Sequence, residues 1–303
     1  MVKSLQEVFD QASIFTTQRV SVAAAEDKEV LMALKEAVES DICHPILIGD
    51  QDQITRLAGE IDFNINGFHL IDQPEPREAA RTAVELVNKD EADLLMKGHV
   101  QTKDLLKAVL DKEIGLRTGK ILSHIAILDV PAYHKLLFLT DAAMNIAPNL
   151  DQKATITQNA VDMAINLNIS EPKVAPLAAV EVVNPDMEAT MDASVLSKMA
   201  DRGQIKNAHV DGPLALDNAI SQEAASQKKI NSSVAGDADI LLVPDIEAGN
   251  VLYKSLTQLG KGKIAGILAG AKRPVILTSR ADPHDAKVYS IAAACTMVAN
   301  LKV

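Results

Sequence analysis

Short apolar runs alternate with longer stretches in which apolar residues recur every three or four positions. VSVAAA (20–25) and PILIG (45–49) have the length and the apolar content of buried strands. Each is followed by a stretch with helical spacing, DKEVLMALKEAVES after the first and QDQITRLAGEI after the second. The same order continues along the chain. Because such alternation is typical of βαβ units, the sequence predicts an α/β fold with largely parallel sheets.

The remaining segments extend this pattern. We predict strands at FHLID, ADLLMKGH, HIAILDV, KLLFLTDAA, KVAPLAAVEVV, ADILLVP and PVILTSR. Pro76 is expected at the start of a helix, Thr102 and Asn149 are candidate N-caps of two more, and the last helix is predicted to begin near Pro283. Gly249 falls in a predicted turn, and GKGKIAGILAGAKR is interpreted as two Gly-rich segments before the strand PVILTSR.

Composition agrees with helices packed on buried sheets. Of the 303 residues, 48% are hydrophobic but only 3% are aromatic, so the core must be built from Ala, Val, Ile and Leu. The length fits one large domain or two of about 150 residues. No linker rich in Pro, Gly or Ser separates two halves, so a two-domain chain would cross between its domains through ordinary loops.

Charge and residue usage narrow the classes of function. The formal net charge of −11 and the pI of about 5.1 oppose binding to nucleic acid, and the chain has no basic run. No apolar run approaches the roughly 18–20 residues that span a bilayer, and the N-terminal stretch predicts a helix rather than a signal peptide. We therefore expect a cytoplasmic protein without membrane or nucleic-acid partners. Cys43 and Cys295 form no metal-like or redox-like pair, and the seven histidines show no ligand spacing.

Several predicted strands end in a polar or Gly-rich turn. In open α/β sheets, ligands bind beyond the carboxyl ends of the strands, where helix N-termini offer unpaired N–H groups to an anion. Ordinary turns use the same residue types, so each turn alone is a weak signal. The turns are Lys97-Gly98-His99, Thr140-Asp141, Asp211-Gly212-Pro213, Asp245 with Gly249-Asn250, and Thr278-Ser279-Arg280.

The segment after the last predicted strand is the most informative of these. Arg280 lies between an apolar strand and a helix start, where its planar fork could hold a phosphate. Asp282 and Asp285 follow, and either could act as a base or simply cap the helix and pair with Arg280. The sequence has no P-loop, no G-x-G-x-x-G after a strand and no G-x-S-x-G, which leaves nucleotide hydrolysis, a Rossmann dehydrogenase and a serine hydrolase unsupported.

Six ordered segments resemble the phosphate acetyl/butyryltransferase family, and the resemblance is closest to its butyryl-type branch. It is motif-rich from about Lys97 onwards. The segments are LLMKGHVQTKDLL, LRTGKILSHIAIL, LFLTDAAMNIAPN, NAHVDGPLALDNAI, ADILLVPDIEAGNVLYKSL and KRPVILTSRADPHDAK.

The resemblance implies an architecture and a reaction. It implies two α/β domains facing across a cleft, residues 1–130 plus 280–303 and residues 131–279, in a homodimer or larger homo-oligomer. It also implies reversible transfer of a short acyl group, with butyryl or branched-chain groups favoured, between coenzyme A and inorganic phosphate. Coenzyme A is a substrate and no cofactor or metal is expected, because thioester and acyl phosphate are both already activated. The transfer is expected to be direct, without an acyl group on either cysteine.

The resemblance also implies roles for residues. Ser279 and Arg280 are expected to contact the anionic substrate, and Asp285 to take the thiol proton, although Asp282 is an alternative base. The expected substrate-binding residues in the matched segments are Lys97, Gly98, Thr102, Ser123, His124, Asp141, Asn145, Asp211, Gly212, Pro213, Asp245, Gly249 and Asn250.

Two positions depart from the acetyl branch, and three other functions stay open. Ala281-Asp282-Pro283 replaces Gly-Cys-Ser after the Ser-Arg pair, and Gln258 stands about where that branch has an Arg. The other functions are phosphate acetyltransfer, a non-catalytic acyl-CoA-binding module, and a metal- and NAD-dependent dehydrogenase of related architecture.

Overall fold

The computed structural model describes residues 2–278 and 282–301 and divides the chain into two compact units. We call the first unit, Met1–Leu5 and Ile121–Ile264, the central unit, because most of it comes from the middle of the sequence. The second unit, Gln6–Lys120 and Ala265–Val303, comes from both sides of that segment, and we call it the flanking unit. The predicted α/β class with largely parallel sheets is confirmed. The domain boundaries expected at residues 130 and 280 stay predictions.

Helices and strands alternate along most of the chain. Up to residue 120 the elements are α1 (Leu5–Ala12), β1 (Gln18–Ala23), α2 (Lys28–Glu39), β2 (Cys43–Gly49), α3 (Gln51–Glu60), β3 (His69–Asp72), α4 (Pro76–Asn88), β4 (Leu94–Lys97) and α5 (Thr102–Val109). They continue with β5 (Ser123–Asp129), β6 (Leu137–Thr140), α6 (Leu150–Asn166), β7 (Lys173–Pro176), α7 (Glu188–Asp201), β8 (His209–Val210), α8 (Leu216–Ile220), α9 (Gln222–Gln227), β9 (Ile240–Leu242), α10 (Ile246–Lys254), one π-helical turn (Ser255–Leu259), β10 (Lys263–Ala269), β11 (Val275–Ile276) and α11 (His284–Leu301).

The flanking unit has a sheet whose strand order reverses between β1 and β4. Its order is β3-β2-β1-β4-β11-β10, and every pair is parallel except β10 with β11. After β1 the chain adds β2 and β3 on one side, and it then returns to place β4 on the other side. This switch point opens a crevice at the carboxyl ends of β1 and β4.

The central unit has a sheet in which the last strand is inserted between earlier ones. Its order is β5-β6-β9-β7-β8, parallel except for the pair β5 and β6. The two apolar runs on either side of Pro131, HIAILDV and KLLFLTDAA, are therefore neighbouring strands, with Ala126 opposite Leu139. The carboxyl ends of β6, β9, β7 and β8 lie along the same edge of this sheet, because parallel strands share their direction.

Local capping and packing explain where the main helices lie. Asp27 caps α2 by accepting from the backbone N–H of Val30, and Pro76 is the first residue of α4. Asn149 caps α6 in a reciprocal capping box with Gln152, as predicted. The last helix, α11, is buried almost all round from residue 286 to residue 299. Among the described residues, no helix is long and apolar enough to cross a membrane.

Four local predictions are wrong. The strand predicted over KVAPLAAVEVV ends at Pro176, which lacks an N–H, and Val182 is exposed. The Gly-rich segment 260–273 contains β10, whose apolar side chains are buried. Gly249 lies within α10 rather than in a turn. Thr102 is the first residue of α5 and not its cap, because the extended N-cap residue is Gln101, whose side chain makes no cap hydrogen bond.

Candidate active site

A carboxylate at the carboxyl end of β6 organises the loop that follows the strand. Oδ1 of Asp141 accepts hydrogen bonds from the backbone N–H groups of Ala143 and Met144, both at 2.9 Å. Oδ2 accepts from the backbone N–H of His124 at 3.2 Å and from Nδ2 of Asn145 at 2.6 Å. A carboxylate has about four acceptor sites, so these bonds occupy it. Asp141 therefore acts here as a positioning group for this loop.

The start of β5 belongs to the same network. Nδ2 of Asn159, in α6, donates to the hydroxyl of Ser123 at 3.0 Å, and Ser123 is fully buried. Because β5 and β6 are antiparallel, the first residues of β5 lie beside the last residues of β6. Four of the predicted substrate-binding residues thus meet in one cluster, which we call the Asp141 cluster: Ser123, His124, Asp141 and Asn145.

Helix α10 packs its first turn against this cluster. The carboxylate of Asp245 caps the helix. A Cβ at Gly249 would lie 2.9 Å from both the Cα of Ala142 and the carbonyl oxygen of Asp141, so only glycine allows this close approach. Nδ2 of Asn250 donates to the carbonyl of Ala142 at 3.4 Å. The structure therefore brings the predicted residues of β6 and α10 together, although they are about a hundred positions apart in the sequence.

The predicted turn Asp211-Gly212-Pro213 stands apart from the Asp141 cluster. In the strand order, β9 and β7 lie between β6 and β8. The backbone N–H of Asp211 donates to the carbonyl of Val174 at 3.1 Å. The carbonyl of Gly212 accepts from the hydroxyl of Ser197 at 3.3 Å, and the peptide bond between Gly212 and Pro213 is cis. These residues hold the end of β8 against β7 and α7.

The flanking unit has a cavity of about 160 Å³ at the switch point of its sheet. The residues around it lie at or after the ends of β1, β4 and β11 or belong to α2 and α11. They are Asp27, Glu29, Val30, Lys97, Gly98, His99, Thr278 and Lys287. A ligand in an open α/β sheet is expected at this place, beyond the strand ends and beside a helix N-terminus.

Lys97 and Gly98 occupy the end of β4 as the sequence predicts. The backbone N–H of Gly98 donates to the carbonyl of Ala23 at 2.9 Å, and that of His99 to the carbonyl of Ala24 at 2.6 Å. A Cβ at Gly98 would lie 2.1 Å from the carbonyl oxygen of Ala24. Glycine is therefore required for the two strand ends to meet, and their meeting places the buried ammonium of Lys97 beside the cavity.

Sequence reasoning missed Lys287 of this cavity, as well as Asp27, Glu29 and Val30 at the start of α2. Lys287 lies in α11, its exposed fraction is 4%, and its Nζ donates to the carbonyl of Asp282 at 3.2 Å. A signal for it was present in the sequence. Lys287 is the one charged residue in the otherwise uncharged stretch from Ala286 to Leu301, and a charge in a buried helix commonly has a partner or a function.

The remaining predicted residues are placed as follows. Thr102 is exposed on α5 and does not line the cavity. Asp285 lies in the first turn of α11 and is partly buried. Ser279 and Arg280 lie outside the described residues. The residue before them, Thr278, lines the cavity.

The side chains that could bind a metal or act as nucleophiles are the histidines, the acidic residues and the cysteines. Within residues 2–278 and 282–301, no group of three or more His, Cys, Asp or Glu side chains could hold a metal ion. Cys43 and Cys295 are both buried. Burial raises the pKa of the Cys43 thiol to about 12, so this group is protonated, and weakly nucleophilic, at neutral pH.

Comparisons with known proteins agree on one family. Residues 4–81 and 73–295 match the model of the family described as phosphate acetyl/butaryl transferase. The chain is 49% identical to the phosphate butyryltransferase of Clostridium beijerinckii over all of both chains. It is 48% identical to the phosphate acetyltransferase of Thermotoga maritima, over 91% of this chain and 93% of that protein. A branched-chain phosphotransacylase from Enterococcus faecalis has a similar structure, with a TM-score of 0.84 and 37% identity, covering 93% of this chain and 99% of that one.

Proposed function

Because this chain belongs to the phosphate acetyl/butaryl transferase family, we propose that it transfers a short acyl group reversibly between coenzyme A and inorganic phosphate. The acyl group is butyryl or a branched short chain. The observation that carries this proposal is the 49% identity to a phosphate butyryltransferase along the whole of both chains. The similarity in structure to a branched-chain phosphotransacylase supports the same acyl class.

The reaction exchanges one bond to the acyl carbon for another. In the direction of acyl phosphate, a phosphate oxygen attacks the thioester carbonyl, the C–S bond breaks, and the departing thiolate of coenzyme A takes up a proton. In the other direction the thiol loses that proton and its sulfur displaces phosphate. Coenzyme A is a substrate, and both acyl donors are activated, so the protein mainly needs to hold two anionic partners and stabilise the oxyanion between them.

Roles for individual residues follow from this chemistry and form part of the proposal. Arg280 holds the phosphate, and Ser279 or a backbone N–H stabilises the tetrahedral oxyanion. Asp285 exchanges the thiol proton, with Asp282 as the alternative base. The cavity at the switch point supports these roles, because its lining includes Thr278, the residue directly before Ser279.

Acetyl transfer is the second candidate function. The identity to the phosphate acetyltransferase of Thermotoga maritima, 48%, nearly equals the identity to the butyryltransferase. One added methylene in an apolar pocket changes discrimination by only about 1–3 kcal/mol, so acyl preference has to be measured with both substrates.

The test is phosphate-dependent release of free thiol from acetyl-, butyryl- and isobutyryl-CoA. We expect the rate to require phosphate and to be highest with four-carbon chains. Arg280→Ala should lower kcat/KM by about 100-fold or more, the typical effect of removing one donor to the reacting centre. Arg273→Ala is the matched control, because Arg273 precedes the same strand, β11, and pairs with Asp90 at 2.9 Å.

Each other outcome of this test has a defined meaning. Highest rates with acetyl-CoA would move the assignment to acetyl transfer. No phosphate-dependent release from any of the three thioesters, with folded protein, would overturn the proposal and favour a binding module or a dehydrogenase. A loss of kcat/KM of the same size in Arg273→Ala would contradict the proposed role of Arg280 in the site.

Assembly and location complete the proposal. We propose a homodimer or larger homo-oligomer that acts in the cytoplasm, where coenzyme A thioesters are made and used. Exposed apolar residues on and before α7, among them Val182, Val183, Met191 and Val195, support self-association. Light scattering coupled to size exclusion tests this, and a monomer at micromolar concentration would contradict it.

A further inference from the structure

We infer that Lys287 binds the phosphoryl group of the substrate, together with Lys97, in the cavity at the switch point of the flanking unit. This inference rests on the proposed function and adds to it a residue and a place for the phosphate. It begins with the burial of two cations. The exposed fraction is 7% for Lys97 and 4% for Lys287, and both line the cavity.

The charge of Lys287 is not balanced within the described part of the chain. Its one hydrogen bond to a described residue goes to the carbonyl of Asp282, which is neutral. None of the carboxylates in residues 2–278 and 282–301 forms an ion pair with it. A buried ammonium without a counter-charge is costly, and it has two further N–H groups to donate. An anion in the adjoining cavity would supply both the charge and the acceptors.

The acidic residues of the lining do not fill this role. The carboxylate of Asp27 accepts from the backbone N–H of Val30 and thereby caps α2. Glu29 is exposed, so water solvates its charge. The first turn of α2 borders the cavity with the positive end of its dipole, which favours a bound anion. The part of the lining beside Lys287 therefore suits a bound anion.

The size of the cavity suits a phosphoryl group. Its volume, about 160 Å³, has room for a phosphate with a few waters. Inorganic phosphate, and the phosphoryl end of the acyl phosphate, are therefore ligands that fit it, and the experiments below distinguish them from the phosphates of coenzyme A.

The kinetic test compares Lys287→Met with Lys287→Arg and with a surface control, Lys89→Met. We expect Lys287→Met to raise KM for phosphate by about 10- to 100-fold, the effect of a lost hydrogen bond between charged groups. KM for butyryl-CoA should change less than about twofold, and Lys287→Arg should restore part of the phosphate affinity because it keeps the charge. Lys89 is exposed and forms an ion pair with Glu85 on α4, so its variant should match the wild type.

A binding measurement tests the site without turnover. Phosphate should raise the unfolding temperature of the wild type more than potassium chloride of equal ionic strength, and this rise should disappear in Lys287→Met. The variant without phosphate should unfold no earlier than the wild type, since an apolar side chain of similar volume replaces a buried charge. Stabilisation by coenzyme A should persist in the variant.

The contrary outcomes are distinct. An unchanged KM for phosphate, or a phosphate-dependent rise that survives in Lys287→Met, would overturn the inference. A loss of coenzyme A affinity instead would assign Lys287 to the phosphates of coenzyme A. If the wild type binds phosphate through Lys287 but transfers no acyl group, the proposed function fails while this site stands. If Lys287→Met does not fold, the same two measurements on Lys287→Arg and Lys287→Gln decide.

Discussion

Gly98→Ala should damage both the stability and the phosphate affinity of the protein. The added Cβ would lie 2.1 Å from the carbonyl oxygen of Ala24 and 2.7 Å from that of Ala23, and both are backbone atoms that cannot rotate away. An ordinary contact needs at least 3.4 Å. The ends of β1 and β4 must therefore separate by about 1.3 Å, the difference between that distance and the shortest one.

This separation breaks the contacts that join the two strand ends. The hydrogen bond from the N–H of His99 to the carbonyl of Ala24 is 2.6 Å long, and that from Gly98 to Ala23 is 2.9 Å long. Two lost backbone hydrogen bonds cost about 1 kcal/mol each. Overpacking of a close-packed site adds about 1–3 kcal/mol. The expected loss in the free energy of unfolding is thus about 3–5 kcal/mol.

Gly59→Ala is the matched control. Gly59 lies in α3, and a Cβ there would meet nothing within 4 Å. Alanine is the better helix former, so this variant should gain up to about 1 kcal/mol. Thermal unfolding monitored by circular dichroism should show an unfolding temperature for Gly98→Ala about 5–8 °C below that of the wild type, with that of Gly59→Ala at or slightly above it. KM for phosphate should rise in Gly98→Ala alone, because Lys97 and His99 line the cavity.

A Gly98→Ala variant within about 1 kcal/mol of the wild type would refute this reasoning. It would mean that the two strand ends are further apart than the structure places them. Normal stability with a raised KM would also contradict the packing argument, since it would separate the cavity from the strand contact.

Two further predictions concern titrating groups. The double variant Cys43→Ala with Cys295→Ala should keep its phosphate-dependent rate within about twofold, because burial holds the pKa of Cys43 at about 12; an acyl adduct on either thiol, seen by mass spectrometry after incubation with butyryl-CoA, would contradict direct transfer. Partial burial acts to raise the pKa of Asp237, but hydrogen bonds from Lys173 and Lys135 outweigh it and hold this pKa at about 2. Solvent screens this partly exposed carboxylate, so the free energy of unfolding of the wild type should exceed that of Asp237→Asn by about 1 kcal/mol at pH 5. Urea unfolding should show this difference shrinking as the pH falls through 4 towards 2, whereas a constant difference would exclude the ion pairs as its source.

The strand ends could be predicted from the sequence because polar residues interrupt apolar runs there. Asp141 and Asp245 are both predicted in this way. That the loop after β6 contacts α10 could not be predicted, because it depends on β9 pairing with β6 across about a hundred residues. Local patterns carry no information on which strands become neighbours, and the Asp141 cluster and α10 are joined only by that pairing.

Two other features show where tertiary structure overrides local preference. In β10, the glycine Gly266 interrupts an apolar run, yet its N–H donates to the hydroxyl of Ser290 at 2.9 Å and the flanking Ile264 and Ile267 are buried. Packing against α11 therefore makes a strand of a segment with weak propensity. For Lys287, periodicity cannot indicate a face, because α11 is apolar on all sides.

The division of the sheet between distant parts of the sequence affects how the protein is synthesised. Apart from its first five residues, the central unit is one continuous segment, so a chain that has emerged from the ribosome to residue 264 contains all of it. The flanking unit is still missing most of β10 and all of β11 and α11 at that moment, and α11 packs on α2, which was made long before. The flanking unit, whose larger part is translated before the central unit, is therefore completed after it. Until residues 265–303 emerge, β4 has an open edge and the faces that α11 covers are exposed, and this interval is when the nascent chain most needs a chaperone.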